Sequence, residues 1–203
     1  GAGAPFLTGA RGADGGGAMV VPRHAAPLAL LVAAGLAAGA GPACAADPVA
    51  TYLAPPAACP GQDRADLPPP AQARSMACLI NWARARAGLR ALPSSPALRS
   101  AASRKTQLML RCGQFSHEAC GRPFDAVIRG AGFPGRSVGE NIAWGNGPYA
   151  SPRETMVSWL RSPEHRANIL RRTWTTQGVA VRSHVTFQGY EGASVWASQF
   201  GAA

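Results

Sequence analysis

Three times in this chain a serine is followed at once by proline and then by an amphipathic run: Ser95-Pro96, Ser151-Pro152 and Ser162-Pro163. A serine hydroxyl can accept from the free amides of a helix's first turn. Proline suits the first helical position, where its missing N–H costs nothing. Three helix starts are therefore written into the sequence. The second is reinforced by Glu154, which completes a capping box with Ser151. Upstream, Met76, Leu79, Ile80, Ala83 and Ala87 recur at helical spacing, with Arg74, Asn81, Arg84 and Arg86 off that stripe and Gly88 as a stop. After Ser95 the apolar positions are Leu98, Ala101, Ala102, Leu108 and Met109, closing at Arg111-Cys112-Gly113. Phe124 to Arg129 reads as a short helix ended by Gly130 and Gly132. Met156, Val157, Trp159 and Leu160 mark the helix after Ser151. Each of these helices hides one face, so each needs a partner layer.

That layer is supplied by strand-like runs: Ser137 to Trp144, Gln177 to Val181 and Ser194 to Phe200, with Val185 to Gln188 as a further strand in between. The order is helices, strand, helices, strands, without regular β-α-β alternation. This predicts an α+β domain with an antiparallel sheet and helices on its faces. No internal repeat marks a second domain.

The globular part is expected over residues 71–203. Gly1 to Ala18 is rich in glycine and alanine and has no periodicity. Met19 then opens a secretory leader: Arg23 is the positive start, Leu28 to Ala40 an apolar run, and Ala43-Cys44-Ala45 a small-residue cleavage motif. The run holds about 13 residues, short of the roughly 20 needed to span a bilayer. Residues 1–45 thus read as an upstream extension plus signal peptide, with Met19 as the start. Residues 46–70 read as a Pro-rich extended linker, carrying Pro55-Pro56 and Pro68-Pro69-Pro70. Export fits the cysteines. Cleavage after Ala45 removes Cys44 and leaves Cys59, Cys78, Cys112 and Cys120, an even set with three possible pairings. Cys112–Cys120, closing a short loop around His117, and Cys59–Cys78, tying the linker to the first helix, are favoured. No C-x-x-C pair suggests cysteine-bound metal.

The chain carries a formal charge of +10, and loss of Arg11, Arg23 and Asp14 with the leader takes it to +9. All the basic residues but Lys105 are arginine. A secreted cation is drawn to anionic polymers and lipid headgroups. No basic run interleaved with aromatics speaks for nucleic acid.

Chemistry concentrates in three runs. In Ser162-Pro163-Glu164-His165-Arg166-Ala167-Asn168-Ile169-Leu170, Glu164 falls in a first turn, where a carboxylate is favoured. His165 sits beside the positive helix end, which disfavours imidazolium. Phe115-Ser116-His117 and Val138-Gly139-Glu140-Asn141-Ile142-Ala143 supply a second histidine and a second acid. The three are expected to converge on one cleft lined by His117, Glu140, His165, Glu164, Ser116 and Asn141. Two neutral imidazoles on one pocket would make His117 and His165 a divalent-metal pair, most naturally for zinc. Glu140 would be ligand, orienting group or general base. Ser116, adjacent to His117, is expected to point away from it and to hold its loop by hydrogen bonding. Asn141 and Asn168 are expected to tie loops to backbone.

Together these runs resemble the CAP superfamily of cysteine-rich secretory, antigen 5 and plant pathogenesis-related proteins, in its bacterial SCP-like extracellular branch. The resemblance spans roughly Gln72 to Gly201. It rests on Leu79-Ile80-Asn81-Trp82-Ala83-Arg84 with Gly88-Leu89, Phe115-Ser116-His117, Gly139-Glu140-Asn141-Ile142-Ala143, Trp159, the Ser162–Leu170 run, Gly178-Val179-Ala180, and Trp196 with Gln199-Phe200-Gly201. It implies a three-layer α-β-α sandwich around a cavity lined by two histidines and two acids, matched here by His117, His165 and Glu140. Leu160, Arg161 and Ser162 stand where animal and plant members carry a glutamate after the matching tryptophan, which leaves Glu164 as the candidate fourth residue. The resemblance implies a secreted, extracellular or periplasmic module that holds a divalent metal or a small apolar, lipid or sterol ligand. The alternatives are a metal-dependent hydrolase on His117, His165 and Glu140, and a basic structural protein held to anionic cell-envelope polymers.

Overall fold

The structure is a computed structural model and describes residues 7–13 and 47–202. The secretory leader expected over residues 19–45, with Cys44, lies outside the described residues.

The segment expected to be an extended linker is packed. Helix α1 (Pro48–Tyr52) is capped by Asp47, whose Oδ1 accepts from Val49 N at 3.0 Å. Gln62 is buried and donates to Pro55 O and Pro56 O, and Arg153 reaches back to Gln62 Oε1 at 2.8 Å and Ala54 O at 2.9 Å. Cys59 is joined to Cys78. Helix α2 (Pro69–Arg86) begins inside the proline triplet, with Pro68 as N-cap. The first turn of a helix has no use for its amide protons, so consecutive prolines there cost no hydrogen bond. Composition read as a linker what the chain uses as a helix start.

Helices α3 (Pro96–Cys112), α4 (Phe124–Gly130), α5 (Pro152–Arg161) and α6 (Pro163–Ile169) lie where the serine, proline and glycine signals put them. Ser95 Oγ accepts from Leu98 N and Ser151 Oγ from Glu154 N, and Gly113 closes α3 in a left-handed conformation. The sheet has the order β1-β2-β4-β3, all neighbours antiparallel. Its strands are β1 (Leu7–Ala13), β2 (Ser137–Gly145), β3 (Thr176–Phe187) and β4 (Tyr190–Ala202). Residues 7–13, read from sequence as patternless, run along the outer edge of β2. The strand expected between 177 and 194 is not separate. It is the far end of β3, whose register slips between Arg182 and Phe187, where His184 adopts φ +57°.

Alternation along the strands sends two sets of side chains to two helical layers. On one side Met76, Leu79, Ile80, Trp159, Trp196 and Phe200 join α2, α5 and α6 in one core. On the other, Ile142, Trp144, Val195 and Ala197 pack with Ala102 and Met109 of α3, and Val138 packs with Leu98, Phe124 and Ile128. The result is the α+β three-layer sandwich. Arg84, off the apolar stripe in the sequence, is nevertheless buried: Nε donates to Arg90 O, and Nη1 to Ile169 O and Arg171 O, each at 2.9 Å. Burial pushes its pKa down. The guanidinium sits on the last carbonyl of α6 and on one just beyond the helix end, the favoured place for a cation, and so fixes that helix.

The second bridge joins Cys112 to Cys120, so both favoured pairings are present. Under denaturing, non-reducing conditions the full chain should titrate with one thiol, that of Cys44, and the chain cut after Ala45 with none. Three thiols in the full chain would mean that a bridge is missing.

Candidate functional site

Glu140 is the centre of one cluster. It lies on β2 opposite Gln199 of β4, fully buried, facing α3. His117 Nδ1 lies 2.6 Å from Glu140 Oε1, Gln199 Nε2 donates to Oε2 at 2.6 Å, and Lys105 Nζ stands 3.5 Å from Oε1. An acid buried this way is tolerated because its charge is met on several sides. With lysine and amide donors already aimed at it, Glu140 is an acceptor, and the network assigns the proton to His117 Nδ1. Nε2 of His117 then carries the lone pair, buried and without a hydrogen-bond partner. The loop bearing His117 is held by the Cys112–Cys120 bridge, by Ser116 Oγ accepting from Glu118 N at 3.0 Å, and by the edge of Phe124 against the imidazole. Ser116 thus fastens its loop, as expected of it.

Lys105 was not singled out from sequence. Its signal was there: the chain's one lysine falls on the apolar stripe of α3, between Ala102 and Met109. Burial pushes its pKa down, and the Glu140 carboxylate partly opposes this.

His165 anchors a second cluster. Its ring stacks parallel on Trp159, with centroids 6.4 Å apart, and Nδ1 lies 2.6 Å from Ser162 Oγ. Ser162 occupies the N-cap position of α6, but its hydroxyl makes no cap hydrogen bond. One helical turn separates it from His165, and the imidazole takes the place of the amide. Asn141 Nδ2 donates to His165 O at 3.1 Å, Asn168 Nδ2 to Asn141 Oδ1 and Glu140 O, and Trp174 Nε1 to Asn168 O at 2.8 Å. Both asparagines tie α6 to β2. Trp174 is a member that sequence reasoning passed over.

The two clusters are bonded to consecutive residues of one strand, Glu140 and Asn141. Consecutive strand residues point to opposite faces. The structure therefore brings His117 and Glu140 together from the α3 side and sets His165 on the α6 side, in place of one shared cleft. Glu164 is exposed in the first turn of α6 and bonds to neither histidine. Strand β1 covers the outer edge of β2, with Arg11 and Ala10 opposite Glu140 and Asn141. These donors do not make a three-ligand zinc centre. The Glu140 oxygens are engaged, an ammonium stands beside them, and among the described residues no three His, Cys, Asp or Glu side chains could hold a metal.

An open groove lies elsewhere, between α2 and α3 on the outer edge of β3. It encloses about 700 Å³, within the range of small-molecule sites. Ala73 and Ala77 of α2 and Val179 and Val181 of β3 give it apolar walls, and Arg74, Arg99 and Arg182 stand around it. Sequence reasoning did not find it, because it is made where two helices meet a sheet edge.

The profile of the cysteine-rich secretory protein family, CAP, matches residues 78–197, over half of the 203-residue chain. The Bacillus subtilis (strain 168) protein YkwD is 34% identical over 125 residues, 60% of this chain and 44% of that protein. An extracellular protein of Bacillus anthracis containing an SCP domain shares the fold at a TM-score of 0.58 and 20% identity, over 66% of this chain and 41% of that one. An outer surface protein of Borrelia burgdorferi does so at 0.53 and 16%, over 63% of this chain and 89% of that one. The chain spans less than half the length of the two Bacillus proteins. Among the described residues no helix is long and apolar enough to cross a membrane. The fold, the paired cysteines and the family profile agree: this chain belongs to the cysteine-rich secretory protein (CAP) family.

Proposed function

We propose that the chain is an exported binding module that takes an elongated amphiphile with an anionic head into the groove between α2 and α3. The observation carrying this reading is the pairing of an apolar trough with three arginines that have no ion-pair partner among the described residues. The tail of such a ligand would lie on Ala73, Ala77, Val179 and Val181, burying roughly 25 cal/mol of stabilisation per Å². Its head would meet Arg74, Arg99 or Arg182, whose planar guanidinium suits a carboxylate or phosphate. Export is supported by the leader pattern at residues 19–45, the two disulfides and the extracellular relatives. The His117–Glu140 and Ser162–His165 clusters act in this reading as internal braces that hold the layers.

Dodecanoate titrated against the full chain tests it. Ala77→Trp fills the trough without touching either histidine cluster and should weaken binding at least tenfold. Dodecanol, which has no charge for the arginines, should bind about tenfold less tightly than dodecanoate. Equal affinity of wild type and Ala77→Trp for dodecanoate would remove the groove as the site.

A further inference from the structure

A second pocket, of about 450 Å³, opens on the other flank of α3, against α4 and the loop closed by Cys112–Cys120. Arg104, Gln107 and Arg111 line it from one face of α3, at spacings of three and four residues, and Arg122 faces them from the loop. Leu108 and Val127 form its buried floor. Among the described residues no acidic side chain lines it. Among the described residues none of the three arginines has a carboxylate within ion-pair distance. Two of them are nevertheless held in place: Arg104 Nη1 donates to Gly130 O at 3.1 Å, and Arg111 Nη2 rests 4.0 Å from Cys120 Sγ. A guanidinium has five N–H donors, so most of those in the pocket are uncommitted. Three like charges around one concavity repel, and among the described residues no carboxylate within ion-pair distance offsets this.

The chemistry that would offset it is a poly-oxyanion. Guanidinium forks match phosphate oxygens in pairs. Arg104 and Arg111 stand seven residues apart, about 10 Å along the helix axis. That is wider than one phosphate and suits two in succession. We propose that this pocket is an anion site for a phosphate-bearing chain, distinct from the amphiphile groove and built on different residues.

Tripolyphosphate is the probe, titrated against the full chain at fixed ionic strength, with orthophosphate and phosphatidylglycerol vesicles as further arms. Saturable binding of one tripolyphosphate per chain is expected, at least tenfold tighter than orthophosphate. Arg111→Ala and Arg122→Ala should each weaken it about tenfold. Arg104 also caps α4, so Arg104→Lys replaces it in the series, and thermal unfolding confirms that each variant folds. The charge-matched control Arg161→Ala alters one exposed arginine away from the pocket and should leave the affinity unchanged. An equal loss in that control would reduce the effect to net charge and overturn the site. So would equal affinities for orthophosphate and tripolyphosphate. Vesicle binding that depends on Arg111 and Arg122, with no binding of tripolyphosphate in solution, would overturn the assignment to a phosphate chain.

Discussion

Replacing Lys105 by methionine should lower the stability of the fold by about 3 kcal/mol. Methionine keeps the length and apolar stem of lysine, so the packing on α3 changes little. What changes is the group beside Glu140, since methionine carries neither the charge nor the N–H donors of lysine. Both groups are fully buried, and among the described residues theirs is the one ion pair between a lysine and a carboxylate. Removing the ammonium leaves a desolvated carboxylate held by His117 and Gln199 alone. Glu140→Gln should cost a similar amount, because it strands the Lys105 ammonium. The double variant Lys105→Met/Glu140→Gln removes both charges and should recover at least half of the summed loss, since a buried pair costs much of what it returns. Urea unfolding of the four proteins measures the cycle. Single losses below about 1 kcal/mol, or strictly additive ones, would mean that the pair does not brace the two layers.

The same pair sets a pH dependence whose sign follows from the direction of the shift. The folded-state pKa of Lys105 lies below its ordinary 10.5. Between the two values the unfolded chain binds the proton more readily, so stability rises with pH through that window and the gain is complete above about 10.5. The difference in unfolding free energy between wild type and Lys105→Met should therefore move in favour of wild type as pH climbs toward 10.5. A difference that is flat, or that falls, would contradict the buried, destabilised ammonium.

Much of the scaffold was legible because its signals are local. Serine before proline, glycine at a helix end and apolar residues at a fixed period act within a turn or two, and α3 to α6 start and stop where these predict. The cysteine pairs were legible because short loops and adjacent elements limit the choices. What sequence misplaced depends on distant partners. Pro68-Pro69-Pro70 has an extended composition, yet a helix start tolerates it. Arg84 is polar by identity and buried by its three carbonyl acceptors, two of them more than 80 residues away. The hydroxyl of Ser162 had two acceptable partners, and the choice of His165 over an amide is made by the stacking of that ring on Trp159. For the histidines the sequence held the answer in plain form. Glu140 and Asn141 are neighbours on a strand, so groups bonded to them approach from opposite faces. The groove and the arginine pocket left no local trace, being spaces between elements.

Gly178→Ala should destabilise the domain by about 3 kcal/mol, at the upper end of what overpacking costs. Gly178 lies on β3, paired with Gln199 of β4, at the point where the start of α3 crosses the sheet. A methyl group there would fall on the carbonyl carbon of Leu98 and the amide nitrogen of Arg99. These are backbone atoms, and neither can rotate aside. The strand is held by its ladder, and the helix start by Ser95 Oγ on Leu98 N and by Ser95 N donating to Gln177 O at 2.8 Å. Relief can come only by lifting α3, which draws Leu98 out of a site where it is fully buried. Gly130 is the matching control. It ends α4, and a methyl there meets nothing within 4 Å, so Gly130→Ala should be neutral or stabilising by a few tenths of a kcal/mol. Chemical denaturation compares the two, and a wild-type midpoint for Gly178→Ala would show that α3 does not bear on β3 as described. The substitution also links stability to the proposed binding function, because α3 is one wall of the groove and carries three of the four polar residues of the arginine pocket. Lifting it should weaken dodecanoate and tripolyphosphate together, whereas Ala77→Trp should affect only the first.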